Sequence, residues 1–130
     1  MNNLKFRVWD KKLQILGTVS NIDFEFEEVT FYIDDEEELD VSQTFKDVEI
    51  MQSTGLFDKN GKEIFEGDII DVGTRIPFLN KIQRDEETAY LKLVPLDKRW
   101  TESYFTNFED KSRYEVVGNI YENKELLRKW

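Results

Sequence analysis

The chain has 130 residues, of which 39% are hydrophobic and 35% charged, and its formal net charge is −10. It contains neither cysteine nor histidine, which excludes disulfides, thiol catalysis and Ser-His-Asp triads. The negative charge disfavours sequence-independent binding to phosphate backbones, and no apolar run reaches the length of a membrane span. The start of the chain also lacks the apolar core of a signal peptide, so the sequence predicts a cytoplasmic protein with one domain over residues 1–130.

Alternating apolar residues predict short strands at the beginning of the chain. Residues 4–9 and 13–19 are expected to pair around a turn at Asp10-Lys11-Lys12. Residues 21–33 contain two runs of period two, and their phase changes at Glu27-Glu28. This change allows one strand with a bulge or two strands in a hairpin, and the hairpin is favoured.

A strongly acidic stretch follows. Residues 34–40 include six acidic side chains in seven positions, and residues 21–50 hold twelve acidic residues against one basic residue. Such a block repels itself, which predicts a solvated loop. The alternative is a mimic of a nucleic-acid phosphate track that inhibits a host protein.

The most informative stretch is residues 54–70, which hold three of the six glycines. Asn60-Gly61 predicts a two-residue type I′ hairpin, and Glu66-Gly67-Asp68 predicts a second turn. Strand, turn, short strand, turn and strand in this order are typical of a small SH3-like barrel. The residues predicted to form structural turns are Gly55, Asn60, Gly61, Gly67 and Asp68.

The carboxylates of this stretch allow a second interpretation. Asp58, Glu66, Asp68 and Asp71 could bind a hard cation or act as an acid–base pair. Turn formation by hydrogen bonds from backbone N–H groups to Asp58 and Asp68 is favoured, because the spacing fits neither a calcium loop nor a phosphate-binding loop. The sequence therefore predicts no catalytic residue, no metal site and no cofactor.

The rest of the chain continues in short elements. Residues 74–80 are predicted to be a loop, and residues 81–84 and 88–94 a hairpin that ends at Pro95. Further on, residues 113–121 are predicted to be a strand that Gly118 interrupts, and Asn123 is expected to cap a helix that runs to Trp130. In between, aromatic residues recur at i, i+4 and i+8, which is a helical stripe: Trp100, Tyr104 and Phe108.

Exposed aromatic and basic side chains are the best candidates for an interaction surface. Residues 75–100 contain six basic and four acidic residues, so this segment is also the most plausible place for a nucleic-acid-binding module. The candidate surface consists of Trp9, Arg84, Lys92, Arg99, Trp100, Tyr104 and Trp130.

Three blocks of the sequence resemble the YopX family of phage and prophage proteins: residues 5–10, residues 51–69 and residues 115–127. They cover about a third of the chain and occur in the order typical of that family. The resemblance implies an accessory protein of a phage or prophage in a bacterial cell, with an unknown biochemical role. It offers no catalytic residues.

These observations predict a mainly β protein of short antiparallel strands and a short C-terminal helix. The N-terminal strands, residues 1–50, are expected to lead into a bent SH3-like barrel over residues 48–121. The predicted function is non-enzymatic and depends on protein–protein contact, with a second copy of the chain as the first partner and a host or phage protein as another. Nucleic acid is a disfavoured partner, and a membrane is not expected.

Overall fold

The computed structural model describes residues 4–33, 36–104 and 112–128, and these form a mainly β protein. The chain divides into two compact units, Met1–Ser53 and Thr54–Trp130. The described elements are β1 (Phe6–Asp10), β2 (Ile15–Asp23), β3 (Glu28–Ile33), β4 (Glu36–Thr44), a short 3₁₀ helix (Phe45–Asp47), β5 (Val48–Phe57), β6 (Glu63–Phe65), β7 (Asp68–Asp71), β8 (Leu79–Arg84), β9 (Leu91–Pro95), β10 (Ser103–Tyr104), β11 (Glu115–Asn119) and α1 (Lys124–Leu127). The predicted fold class, mainly β with a short C-terminal helix, is confirmed.

The first unit is an antiparallel sheet in the strand order β4-β3-β2-β1-β5. Its core contains side chains that alternate along the strands, with Val29 and Phe31 of β3 fully buried beside Val8 of β1 and Val48 of β5. The predicted pairing of the first two strands is confirmed, because Val8 lies opposite Gly17 across the β1–β2 ladder. Period-two burial therefore sets the register of this sheet.

The β2–β3 hairpin settles the two alternatives for residues 21–33. Two strands are present, and the turn lies at residues 24–27, slightly before Glu27-Glu28. The Asp23 carboxylate accepts hydrogen bonds from the N–H groups of Glu25 and Phe26, both at 3.0 Å. Phe24 and Phe26 consequently lie at an exposed hairpin tip, although their spacing continues that of Ile22.

The prediction of a solvated loop at residues 34–40 is wrong for most of that stretch. Residues 36–40 belong to β4, which pairs with β3 at one edge of the sheet, and residues 34–35 lie outside the described residues. The pairing of Val41 with Phe31 continues this ladder toward the core. A charged edge strand is a known protection against edge-to-edge aggregation, which explains how acidic residues fit here. The phosphate mimic stays a prediction.

The second unit contains an antiparallel sheet in the order β10-β9-β8-β7-β11, and the end of β5 pairs with β6. Its core cluster is formed by Ile64, Ile70, Ile82, Leu93 and Tyr114. The predicted hairpin is confirmed as β8 and β9, with β9 ending at Pro95. The predicted interruption of β11 is also present, as a register shift between Val116 and Gly118.

The SH3-like barrel is not confirmed. Among the described residues, the strands form two antiparallel sheets that end in edge strands such as β4 and β10, and they do not close. The sequence also predicted one domain over residues 1–130, with a barrel over residues 48–121. The division into two units does not test this domain assignment, which stays a prediction. The local turns were predicted from local sequence, whereas closure depends on pairings between distant strands.

The helix indicated by the aromatic spacing of Trp100, Tyr104 and Phe108 is wrong for the described residues. Ser103 and Tyr104 form β10, which pairs with Leu93 and Lys92 of β9, and Phe108 lies outside the described residues. Trp100 instead belongs to a turn in which its N–H donates to the carbonyl of Asp97 at 3.1 Å. A short strand pairing therefore outweighs an aromatic spacing that fits a helix.

Candidate functional site

The hairpin between β5 and β6 forms where it was predicted, but its turn is of another type. The N–H of Gly61 donates to the carbonyl of Asp58 at 3.0 Å, and the N–H of Asp58 donates to the carbonyl of Lys62 at 2.8 Å. Gly61 has a φ of 81°, whereas Asn60 keeps a negative φ. The connection is thus a three-residue loop with glycine in the left-handed position, and the prediction of a type I′ turn is wrong.

Asp58 organises this loop from inside the second unit, where its side chain is buried at 7% exposure. One carboxylate oxygen accepts hydrogen bonds from the N–H groups of Asn60 at 2.9 Å and Lys62 at 2.8 Å. The other accepts from the N–H of Val116 in β11 at 2.9 Å. The same side chain therefore closes the hairpin and fastens it to a strand that is 58 residues away in sequence.

The remaining carboxylates of the stretch have separate structural partners. Asp68, 1% exposed, accepts from the N–H of Phe65 at 2.8 Å, and Asp71 accepts from the N–H of Gly73 at 3.0 Å. Glu66 accepts from the Nε of Arg84 at 3.2 Å. Within the part of the chain that the structure describes, no group of three or more such side chains could hold a metal ion. These contacts support the turn interpretation.

The glycines of the stretch supply backbone conformations. Gly67 lies in the turn between β6 and β7 with a φ of 86°, and its N–H and carbonyl bond to Ile82 and Ile120 at 2.8 and 2.9 Å. Gly55 has a φ of 78° but lies inside β5, so its assignment to a turn is corrected. A left-handed glycine within a strand is typical of a bulge or bend.

The geometry around Asp58 predicts a specific dependence of stability on pH. Burial alone would raise the pKa of Asp58, but hydrogen bonds from the N–H groups of Val116, Lys62 and Asn60 outweigh it and hold the pKa below its usual value of 3.8. The folded pKa is thus below the unfolded one, so the ionised group stabilises the fold above pH 3.8. That contribution is lost as the pH falls through the folded pKa.

We therefore expect the stability difference between the native protein and Asp58→Asn to narrow on acidification. Urea unfolding at a series of pH values from about 6 to about 2 would measure it. A difference that stays constant over this range would contradict the assignment of the ionised form to the folded state.

The candidate interaction surface is dispersed in the structure. Trp9 is buried at 5% exposure, so its assignment to a surface is wrong, and Trp130 lies outside the described residues. Tyr104 is 51% exposed and packs edge-on against Tyr90, with ring centroids 6.0 Å apart. Trp9 was misjudged because it alternates with Val8 in sequence, yet both side chains are covered.

The basic members of that surface are neutralised locally. Lys92 lies 3.6 Å from Asp85 and 3.0 Å from Glu102, and these contacts raise its pKa. Arg84 pairs with Glu66 at 3.2 Å, as described above. Three hydrogen bonds of 2.6–3.2 Å join the guanidinium of Arg99 to Asp97; they raise the pKa of Arg99 and lower that of Asp97. These cations are therefore weak sites for a phosphate backbone.

Arg99 and Trp100 do meet at one place, an apolar cleft of about 440 Å³. Trp100 packs edge-on against Phe78 with ring centroids 5.8 Å apart, and both lie on loops that flank the β8–β9 hairpin. The cleft is lined by Thr74, Ile76, Pro77, Phe78, Leu79, Asp97, Arg99 and Trp100.

Sequence reasoning missed the apolar residues just before β8 and at its first position. Ile76, Pro77, Phe78 and Leu79 form an apolar run inside a segment that was predicted only as a loop. Loops are normally polar, so four consecutive apolar residues, one of them a proline, were the available signal. Ile76 is 78% exposed, which makes it an unusual apolar group for a surface loop.

Comparison with known proteins shows matches along almost the entire chain. The family model described as YopX protein matches residues 5–128. The crystal structure of protein EF1440 from Enterococcus faecalis is similar with 25% identity and a TM-score of 0.57, covering 95% of this chain and 96% of that one. The crystal structure of protein yopX from Bacillus subtilis is similar with 18% identity and a TM-score of 0.60, covering 97% and 98%. The search of curated proteins gave no match.

The described helices were also compared with the requirements of a membrane span. Within the described residues, no helix combines the length and the apolar character that crossing a bilayer requires.

Proposed function

The chain belongs to the YopX family, and we propose that it is an accessory protein of a phage or prophage that acts by protein–protein contact, without catalysis, as a homo-oligomer in the bacterial cytoplasm. The observation that carries the proposal is the exposed apolar cleft of the second unit. Ile76 is 78% and Trp100 is 61% exposed at this cleft. Large apolar groups that gather around a concavity mark interaction sites.

The residue contacts support binding over catalysis. Asp58, Asp68 and Asp71, which could have acted as acids or bases, each accept hydrogen bonds from backbone N–H groups. Such carboxylates are held in the geometry of a turn by the N–H groups from which they accept. The same contacts explain why these residue types occur at these positions without any reaction.

Nucleic acid is less well supported as a partner. Of the six basic residues in segment 75–100, Arg84, Lys92 and Arg99 each form an ion pair with a carboxylate. A phosphate backbone would have to displace these carboxylates while approaching a chain of net charge −10. Binding that depends on counterion release gains little from cations that are already paired.

Self-association tests the proposal directly. We expect the mass measured by light scattering and sedimentation velocity to rise above that of one 15.6 kDa chain as the concentration increases. A range from about 1 to about 100 micromolar detects any self-association with a Kd of about 100 micromolar or tighter. A mass of one chain throughout this range would overturn the homo-oligomer. A low-salt gel shift with duplex or single-stranded DNA would instead favour the nucleic-acid alternative.

A further inference from the structure

We propose that the apolar cleft is the contact between two copies of this chain, arranged around a twofold axis so that Trp100 and Ile76 of each copy enter the cleft of the other. This inference rests on the proposed function and names its interface. In this arrangement, Asp97 of one copy faces Arg99 of the other.

The cleft carries both halves of a self-complementary contact. The hole is lined by Pro77, Phe78 and Leu79, and the projecting groups on its rim are Ile76 and Trp100. A twofold interface uses the same patch on both copies, so each residue that inserts must also help to form the receiving surface. The other large apolar groups of the second unit that are exposed among the described residues do not line this cleft: Phe57, Tyr90, Tyr104 and Val117.

The rim of the cleft carries one negative and one positive side chain, Asp97 and Arg99, so the rims of two copies can be complementary in charge. Arg99 has a side chain that is 84% exposed and donates to Asp97 through Nε and Nη2, which leaves Nη1 directed away from that pair. Asp97 and Arg99 are two residues apart in sequence, so a twofold rotation can place each opposite the other's partner. Opposite charges that face each other fix the register of an interface.

The overall charge distribution selects this face for a second copy. Two chains of net charge −10 repel each other, so contact is favourable only where the local charge is not negative. Residues 21–50 carry twelve acidic residues and one basic residue, whereas residues 75–100 carry four acidic and six basic ones. The lining of the cleft holds one acidic and one basic residue, Asp97 and Arg99, so a second copy that approaches there meets no net negative charge.

The test uses charge reversal in the full chain. Asp97→Arg and Arg99→Asp each place like charges across the twofold axis, and we expect each to weaken self-association about tenfold or more. Mixing the two variants restores opposite charges on both sides, so the mixture should associate close to the native level. Native mass spectrometry of one tagged and one untagged variant identifies the mixed dimer.

Apolar insertion is tested separately with Trp100→Ser, which should also weaken association about tenfold or more. The matched control is Phe24→Ser, because Phe24 is also a highly exposed aromatic residue, at 77% against 61% for Trp100, but lies at a hairpin tip of the first unit. That control should associate as the native chain does. Thermal melting of every variant identifies any that fails to fold.

Each outcome has a defined meaning. If the native chain is monomeric, the proposed homo-oligomer fails and this interface with it. If the native chain associates but Trp100→Ser and Arg99→Asp associate equally well, the function stands and the interface is overturned. If the single variants dissociate and their mixture does not recover, the twofold exchange of Asp97 and Arg99 is overturned. Asp97→Arg removes the carboxylate that accepts a turn hydrogen bond from the N–H of Arg99, so Trp100→Ser and Arg99→Asp decide the result if it does not fold.

Discussion

Asp58→Asn is expected to lower the free energy of unfolding by about 2–4 kcal/mol, since it disrupts charge-assisted bonds that a buried carboxylate accepts from three backbone N–H groups. Both oxygens of Asp58 are occupied, one by Asn60 and Lys62 and the other by Val116. Asparagine keeps only one of these two acceptor oxygens and has an NH₂ group in place of the other. Its NH₂ group would then face the N–H of Val116 or those of the turn, and two donors cannot satisfy each other. Urea unfolding near neutral pH measures the loss.

Asp23→Asn is the matched control for this prediction. Asp23 also holds a turn, but both of its N–H contacts, from Glu25 and Phe26, go to the same oxygen. Asparagine can keep that oxygen in place, so we expect a change within about 0.5 kcal/mol. Equal losses at Asp23 and Asp58 would show that the negative charge, and not the second acceptor, determines the stability of these turns.

The Asp58 result also bears on the catalytic interpretation of the carboxylates. A residue used for acid–base chemistry can often be changed to its amide with little effect on folding. A large loss of stability in Asp58→Asn, with no loss in Asp23→Asn, would instead mark Asp58 as a structural residue. The family resemblance at residues 51–69 would then reflect the requirements of a turn.

Turn chemistry was the part of the fold that the sequence predicted best. Asp58 and Asp68 were expected to bind backbone N–H groups, and both do. The same logic applies outside the signature stretch, because Asp10 accepts from the N–H groups of Lys12 and Leu13, and Asn119 accepts from those of Tyr121 and Glu122. These contacts span two or three residues, so they depend on local sequence alone.

Features that depend on distant partners were predicted less well. Asn60-Gly61 favours a type I′ turn by itself, but the buried carboxylate of Asp58 also bonds to Val116, and a three-residue loop accommodates this contact. Residues 36–40 repel one another as a peptide, yet pairing with β3 places them in a strand. The cap at Asn123 differs for a local reason, because Asn119, four residues earlier, competes for its side chain. Its Oδ1 accepts from the N–H of Asn119 at 2.9 Å and makes no capping bond to α1.

The candidate surface was predicted in part. Arg99 and Trp100 were both chosen for their residue types, and the structure brings them to one cleft. The apolar residues before β8 were not chosen, because a proline-containing loop gives no period from which burial could be inferred. Trp9 was chosen and is buried, since the tryptophan lies in a strand whose two faces are both covered near Asp10. Residue type predicts what a surface contains more readily than where it lies.

Gly17→Ala is the second substitution for which a large loss is expected. Gly17 is buried in β2, and a Cβ atom at this position would overlap the ring of Phe31. Phe31 is fully buried in the core of the first unit and cannot move outward without opening that core. Overpacking of this kind costs about 1–3 kcal/mol, and the direct overlap with an aromatic ring places this case at about 3 kcal/mol. Chemical denaturation of the variant measures the loss.

A double-mutant cycle identifies the cause of that loss. Phe31→Leu alone should destabilise the protein, but in the Gly17→Ala background it removes the ring atoms that collide, so the two effects should be less than additive by about 1 kcal/mol or more. Gly61→Ala is the control for glycine itself, because Gly61 has a positive φ and open space around its Cβ position. It should cost about 1 kcal/mol through backbone conformation, with no coupling to Phe31. Strict additivity of Gly17→Ala and Phe31→Leu would show that the ring does not determine the requirement for glycine, and that the close approach of β2 and β3 has another origin.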